Sequence, residues 1–286
     1  MKMDKNLKTS NLKDASAYFR PSVATDGVVF NVIDSELYVL LIKRALSETK
    51  TTKEKRPYQG YWALPGGFIR AAESAEDAVL RELSEETALK INKSKTKLHQ
   101  VGFYSTPDRD AWSFDGNKKG EYRQTMSQAF AVVLQKSHNP KAATDAEDAK
   151  YFKVSDILNK KIEKKVLAFD HNQILLDAVN LFVKKLALEP VALDFCDEKF
   201  TIGDIRAIYE SFWRISHNIE SIELGNFQNK MIKQVDEHGN PVIQPMPNKP
   251  ENKRRQEGRG APALLYTRNK KAEFFSYVMV PTQQRK

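Results

Sequence analysis

Residues 67–89, GFIRAAESAEDAVLRELSEETAL, place a glycine, then Glu73, then Arg81-Glu82-Leu83-Ser84-Glu85-Glu86 on one continuous run. On a helix, Glu82, Glu85 and Glu86 stand at i, i+3 and i+4, so three carboxylates share one face while Val79, Leu80 and Leu83 turn inward. Like charges at this spacing repel by roughly a few tenths of a kcal/mol per pair. A hard divalent cation shared with substrate phosphates relieves that repulsion, and Mg²⁺ or Mn²⁺ is the usual ion. In isolation, Glu-x-x-Glu-Glu would read as a solvated acidic face with Arg81 as its counter-ion. The glycines and Glu73, at set distances upstream, favour a site.

Composition sets the outer bounds. With 286 residues, the chain has room for two domains of ordinary size, and 41% hydrophobic content supplies their cores. Lys and Arg (46) exceed Asp and Glu (37) by nine, and the pI is about 9.3, a balance that suits a polyanionic partner such as nucleic acid or a phosphorylated ligand. Cys196 is the sole cysteine, which excludes an internal disulfide and a thiolate metal cluster and fits a reducing cytoplasm. The opening MKMDKNLKTSNLKDAS lacks the apolar core of a signal peptide, and no stretch approaches a membrane span, so a cytoplasmic protein with no membrane partner is expected.

Outward from the acidic helix, the first half reads as a mixed α/β domain over residues 18–160, preceded by a flexible basic arm at 1–17. Residues 22–32 and 37–43 are strands of a hairpin turning at Asp34-Ser35-Glu36. Residues 45–59 are a polar loop. Strands follow at 100–104 and 127–134, separated by a long loop over 106–123, and a last strand leads to a short helix near 154–158.

Residues 161–286 form a second region. Asp170 is placed as an N-cap to a helix carrying Ile174, Leu175, Ala178, Leu181, Phe182 and Leu186, which Pro190 ends. Phe200-Thr201 is a short strand, and Ile205, Ile208, Tyr209 and Phe212 stripe the next helix. A third helix begins between Ile222 and Asn226, turns Phe227, Met231 and Ile232 inward and leaves Asn226, Gln228, Asn229, Lys230 and Lys233 outward. A Pro- and charge-rich excursion over 242–261 follows, and the chain returns through strands at 263–266 and 274–280, a hairpin with a basic loop beside it. Helix, short strand, helix, helix, hairpin is the order of a winged helix-turn-helix. Amide side chains on the third helix suit adenine edges in a major groove. An α-helical appendix for dimerisation would explain the helices alone, but the loop beside them sets Lys249, Lys253, Arg254, Arg255 and Arg259 against only Glu251 and Glu257, apt for phosphates.

Trp62-Ala63-Leu64-Pro65-Gly66-Gly67-Phe68, followed by Glu73 and residues 81–89, resembles a Nudix box, with Ala88 where a glycine usually stands. Arg20-Pro21-Ser22-Val23, Asp108-Arg109-Asp110, Leu167-Ala168-Phe169-Asp170-His171, Asn226-Phe227-x-x-Lys230-Met231 and residues 260–266 extend the likeness. Together they resemble the Nudix-related transcriptional regulators, the NrtR family.

The resemblance implies an α+β fold: a Nudix α/β/α sandwich with a mixed sheet, joined to a C-terminal winged helix-turn-helix. It implies a homodimeric repressor of NAD or nicotinamide metabolism genes that binds a double-stranded DNA operator and is released by ADP-ribose or a related nucleotide. Within it, Glu82, Glu85 and Glu86 would hold Mg²⁺ or Mn²⁺. Glu73 would support them, Arg81 would orient a glutamate, and Gly66 and Gly67 would admit phosphate. Arg20, Arg44 and Arg109 are candidate phosphate partners, and Trp62 and Phe68 candidate rings for base or ribose, core packing being an equal reading for the two rings. DNA contacts would fall to Asn226, Gln228, Asn229, Lys230, Lys233, Lys253, Arg254, Arg255 and Arg259. His171 and His217 read as capping or packing.

Two other functions stay open. The intact box glutamates suit a Nudix pyrophosphohydrolase of ADP-ribose or another nucleoside diphosphate derivative, and a sugar-responsive regulator is a variant of the first reading. Gly225, Gln228 and Asn229 stand where the family tends to carry arginine, and the wing looks longer and more basic, which suggests that phosphate contacts have moved to the wing. Alanine at Arg254, Arg255 and Arg259 together should flatten the dependence of operator affinity on salt, the log–log slope falling by about 0.9 for each phosphate no longer neutralised. A titration across salt concentrations that returned the wild-type slope would refute this.

Overall fold

The computed structural model describes residues 21–44, 58–87, 89, 91–93, 96–107, 109, 124–133, 149–159, 167–250, 253–254, 262–276 and 278–280. The arm at 1–17, Arg20, Ala88, Asp108, Asp110, Arg255 and Arg259 lie outside them, and Lys253 and Arg254 are described by their backbone alone.

Strands β1 (Ser22–Ile33) and β2 (Glu36–Lys43) form the predicted hairpin, with Asp34 and Ser35 both at positive φ (49° and 60°). Two residues with φ > 0 match the twist of the flanking strands, which is why short polar residues occupy the turn. β1 is the middle of a mixed sheet. It runs parallel to β6 (Thr125–Val133) from Ser22 beside Thr125 to Phe30 beside Val133. On its other side it pairs antiparallel with β2 at one end and with β4 (Gly66–Phe68) at the other. β3 (Trp62–Ala63) and β7 (Ala149–Lys153) extend the sheet beyond β2, and β5 (Leu98–Tyr104) closes the far edge against β6.

The two-residue period of the strands sorts their side chains onto two faces. Val29, Leu40, Phe130 and Val132 meet Val79, Leu80 and Leu83 of helix α1 (Ala75–Thr87), as the apolar side of the acidic helix predicted. Val28, Phe30, Val39, Leu41 and Ala131 face the other way and share one core with α3 (His171–Leu188) and α4 (Ile202–His217). Phe30 meets Phe182 and Phe212 edge-on at 5.6 Å each, and those two rings stack on one another. The expected α/β/α sandwich forms, but α3 and α4, from residues assigned to the second region, supply its second helical layer. The boundary expected at 160/161 therefore does not separate two cores. The short helix α2 (Val154–Leu158) follows β7.

After α3 come a 3₁₀ turn at Pro190–Asp194, a bridge from Phe200 to Tyr266, then α4 and α5 (Leu224–Ile232). Thr201 caps α4 through a reciprocal box with Asp204, and Asn218 ends it in the left-handed conformation. The helices keep the order read from the sequence, but the paired strands differ: β8 (Ile243–Pro245) pairs with β11 (Tyr266–Arg268), and β9 (Lys253–Arg254) with β10 (Ala263–Leu264).

Three local expectations change. The described residues of 274–280 are not in a strand: the amides of Phe275 and Met279 donate to Leu188 and Ala187 carbonyls (2.9 and 2.8 Å), satisfying the end of α3 where intrahelical donors run out. Asp170 occupies the N-cap position of α3 but makes no capping bond, because Arg109 takes its carboxylate. Ile232, expected inward, is 42% exposed, since Phe227 and Met231 alone fill the buried side of α5. Among the described residues no helix is long and apolar enough to cross a membrane.

Because one core serves both halves, Phe182→Ala should destabilise the whole chain by about 3–5 kcal/mol. Denaturant unfolding followed at Trp62 and at Trp213 should give a single shifted transition, and two separated transitions would disprove the shared core.

Candidate functional site

The site lies where β4 runs antiparallel to the start of β1, with Gly66 beside Asp26 and Gly67 beside Thr25. Gly66 is required by space, since a Cβ there would strike the Thr25 carbonyl oxygen, and a Cβ on Gly67, 2.5 Å from Glu82 Oε1, would push the Glu82 carboxylate aside. The backbone therefore approaches the acidic helix closely enough for the Gly66 N–H to donate to Glu86 Oε2 at 2.8 Å.

The three carboxylates of α1 are not equivalent. Arg81 grips Glu73 with two bonds, Nε to Oε1 at 2.7 Å and Nη2 to Oε2 at 2.9 Å. It also donates to Glu82 and, at 3.3 Å, to Glu85, while its Nη2 reaches the Phe68 carbonyl at 3.1 Å. Arg70 adds its amide to Glu73 at 2.9 Å and its guanidinium to the half-exposed Glu85 at 3.3 Å. The bonds from Arg81, then the Arg70 amide, bring the Glu73 pKa down to about 2. Donating to Glu73 and Glu82 raises that of Arg81. Glu86 goes the other way: burial, and then the charges of Glu82 and Asp26, push it up to about 7 against the Gly66 amide and Arg44.

Behind the glycines sits a second group that the sequence reading missed. Asp26 is buried, and burial alone would raise its pKa. The His171 ring, Arg109 and the Ser127 hydroxyl outweigh that and hold it below the usual carboxylate range. Ser127 Oγ donates to Asp26 Oδ2 at 2.6 Å, Arg109 Nη2 lies 3.3 Å from the same oxygen, and His171 Nε2 lies 3.3 Å from Oδ1. Arg109 also grips Asp170 through two bonds, at 3.0 and 2.7 Å. The Leu64 amide donates to His171 Nδ1 at 2.8 Å. The motif Leu167-Ala168-Phe169-Asp170-His171 was the signal that could have found this group, but Asp26 and Ser127 look like ordinary strand residues until the sheet brings them together.

The other candidates divide. Arg44 lies at the end of β2 with its guanidinium 4.7 Å from the Phe169 ring centre, and its charge is felt by Glu86. Phe68 is 59% exposed beside the glycines, whereas Trp62 packs edge-on against Phe152 at 4.6 Å and belongs with the core. Arg109, expected to meet phosphate, is buried between Asp26 and Asp170 instead. His171, expected to cap or pack without an acid partner, has Asp26 beside it. His217 has the neighbouring Ser216 Oγ 2.6 Å from its Nδ1, at the exposed end of α4. On α5, Asn226, Asn229 and Lys233 are exposed and Gln228 and Lys230 half-buried.

Comparison with known proteins gives this geometry its context. Residues 22–172 match the NUDIX domain family. The chain is 34% identical over 173 residues to an ADP-ribose pyrophosphatase of Methanocaldococcus jannaschii, covering 60% of this chain and 82% of that protein. It is 25% identical over 222 residues to the ADPR responsive transcriptional repressor NtrR of Acinetobacter baylyi, covering 76% and 75%. In fold it is similar to Shewanella oneidensis NrtR complexed with a 27mer DNA, with a TM-score of 0.66 at 23% identity over 90% of this chain and 99% of that one.

Glu86 makes a pH prediction for the metal-free protein. Its folded pKa, about 7, lies above the ordinary 4.5, so the folded state holds the proton more tightly and the associated stability is present below pH 4.5 and lost as pH rises through 7. Thermal melts between pH 4.5 and 8 should show Glu86→Gln losing this decline, and a variant with the wild-type slope would place the shift elsewhere.

Proposed function

The chain belongs to the NUDIX domain family, and we propose that it is a DNA-binding transcriptional repressor whose Nudix half senses ADP-ribose or a related nucleotide. Binding of that effector releases the DNA, and the controlled genes are those of NAD or nicotinamide metabolism. The observation that carries the reading is the union in one chain of an acidic helix facing two bare glycines and, on α5, an exposed row of Asn226, Asn229 and Lys233 anchored by buried Phe227 and Met231. The ADPR responsive repressor of Acinetobacter baylyi supports it, because its match of 222 residues is longer than the NUDIX span of 22–172.

On this reading α5 enters the major groove, with Asn226 and Asn229 at base edges and Lys230 and Lys233 towards phosphates. The wing around Lys253, Arg254, Arg255 and Arg259 adds sequence-independent, salt-sensitive affinity. Two copies of the chain would present two such helices to the half-sites of an operator, so the active species is a homodimer.

Glu82, Glu85 and Glu86 are of the type that would hold a hard divalent cation. Among the described residues no three such side chains stand gathered as a metal site, because Arg81 holds Glu82 and Glu85, and Glu86 sits buried among like charges that a cation would offset. Mg²⁺ or Mn²⁺ bound there would neutralise a diphosphate and sharpen a water as a nucleophile. Around it, Gly66 and Gly67 leave room for phosphate, Arg81 orders Glu73 and Glu82, and Arg44, over the Phe169 ring, is a candidate for a second anionic group. Phe68 offers an exposed ring to base or ribose, with Arg20 a further candidate.

A pyrophosphohydrolase is the second reading, favoured by these carboxylates and by the Methanocaldococcus jannaschii relative. The two are compatible, since a sensor that hydrolyses slowly still responds to its ligand. Fluorescence anisotropy with DNA from upstream of the neighbouring genes separates them. Saturating ADP-ribose should weaken binding by about tenfold or more, the ordinary scale of such coupling. Unaltered affinity would remove ADP-ribose as effector, and Mn²⁺-dependent hydrolysis of ADP-ribose that Glu85→Gln abolishes, without any binding to DNA, would establish the enzyme instead.

A further inference from the structure

The glycine turn at the carboxylates is tied by a series of bonds to the helix that opens the second region. Gly66 donates to Glu86, and the Pro65 carbonyl accepts the Gly27 amide at 2.8 Å. One residue earlier, the Leu64 amide finds its acceptor in His171 Nδ1, the first residue of α3 and 107 positions away. The Trp62 carbonyl accepts the Ala168 amide at 2.9 Å. His171 Nε2 in turn faces Asp26, which lies beside Gly66 in the ladder and is joined through Arg109 to Asp170. Between these ties Phe169 holds φ at 57°, unusual for a large side chain, with its ring against His171 (5.2 Å), Tyr58 (4.8 Å) and the Arg44 guanidinium. Such a conformation persists only where the surroundings over-determine it.

We propose that His171 is a positioning residue that couples the turn Leu64–Gly67 to α3, so that a cation or diphosphate engaging Glu86 and the glycine amides is registered at the first turn of α3. This rests on the reading of the chain as a ligand-sensing regulator and names the route by which its site is read. The physical reason is the accounting of one buried amide. When a ligand takes Glu86, the Gly66 N–H loses its acceptor or follows it, and the turn moves. The Leu64 N–H, buried two residues before, costs free energy if its bond is broken, so His171 moves with it. His171 begins α3, whose Phe182 stacks on Phe212 of α4, and α4 packs through Tyr209 against Phe227 of α5. The displacement therefore has a continuous packed route to the helix proposed to read DNA. A ligand shifts such an equilibrium only by its differential interactions with the two arrangements, and the Gly66–Glu86 bond is the one a ligand on Glu86 would change.

Hydrogen–deuterium exchange of the full chain, with and without Mn²⁺ as the probe, tests the coupling. In the wild type Mn²⁺ should slow exchange in residues 62–69 and also in 168–177, each by about fivefold or more, the lower end of ordinary coupling factors. His171→Leu should keep the response at 62–69 and lose it at 168–177. His171→Asn, whose Oδ1 can stand where Nδ1 stands, should restore it, which a merely structural role for the ring would not. Should His171→Leu fail to fold, Asp170→Asn takes its place and should weaken the 168–177 response alone. The inference is overturned by a wild type in which either segment is indifferent to Mn²⁺, by a wild-type response at 168–177 in His171→Leu or its substitute, or by equal loss in His171→Asn. Failure of the nucleotide-sensing reading registers separately, as operator affinity indifferent to ADP-ribose with this exchange pattern intact.

Discussion

Asp26 keeps its charge inside the sheet because Ser127, Arg109 and His171 converge on one carboxylate from β6, from the segment after β5 and from the start of α3. A buried ion pair is weak evidence for net stability, since desolvation offsets much of its attraction, yet losing one partner is costly because the other is then stranded. Its constraint is geometric. With Gly66 beside Asp26 and Leu64 bonded to His171, the position of the glycine turn depends on the same group that fixes the origin of α3. The Nudix site and the helical region are therefore placed relative to one another by polar bonds as well as by the shared core.

The acidic helix solves a related problem in the opposite way. Glu73, Glu82 and Glu85 meet Arg81 and Arg70, so most of the negative charge on that face has an internal counter-charge. Glu86 is left to burial, one amide and the more distant Arg44, and its carboxyl holds its proton to near neutrality. A cation entering there would compete with arginine for three of the groups and relieve the fourth. Arg81 orders the carboxylates in this structure and would have to yield Glu82 and Glu85 to a bound cation. Gly67 favours that arrangement, because a Cβ there would displace the Glu82 carboxylate from its place beside Arg81.

The helical region is shaped by what the sheet leaves uncovered. Alternation along β1, β2 and β6 produces two apolar faces, and α1 covers one. Phe182 and Phe212 cover the other by packing against Phe30, so α3 and α4 serve as a layer of the sandwich while α5 and the paired strands project beyond it. A packed interface of this kind moves between discrete arrangements rather than deforming smoothly, which suits the coupling proposed for His171.

Much of this was legible in residue order alone. The hairpin, α1 with its inward Val79, Leu80 and Leu83, the stripe on α4, the buried Phe227 and Met231 of α5 and the glycine-to-carboxylate spacing all follow from periods of two and 3.6 residues and from turn chemistry, which are local. Those same local rules overreached at 274–280, where an alternating apolar run became a tether for the end of α3, and at Ile232. What only the tertiary structure decided is which residues distant in the chain share a space: Arg109 and Asp170 drawn to Asp26, His171 to Leu64, and α3 to the face of the sheet. A buried charge or amide must find its partner somewhere in the fold, and nothing in the sequence adjacent to Asp26 or Leu64 says where that partner lies.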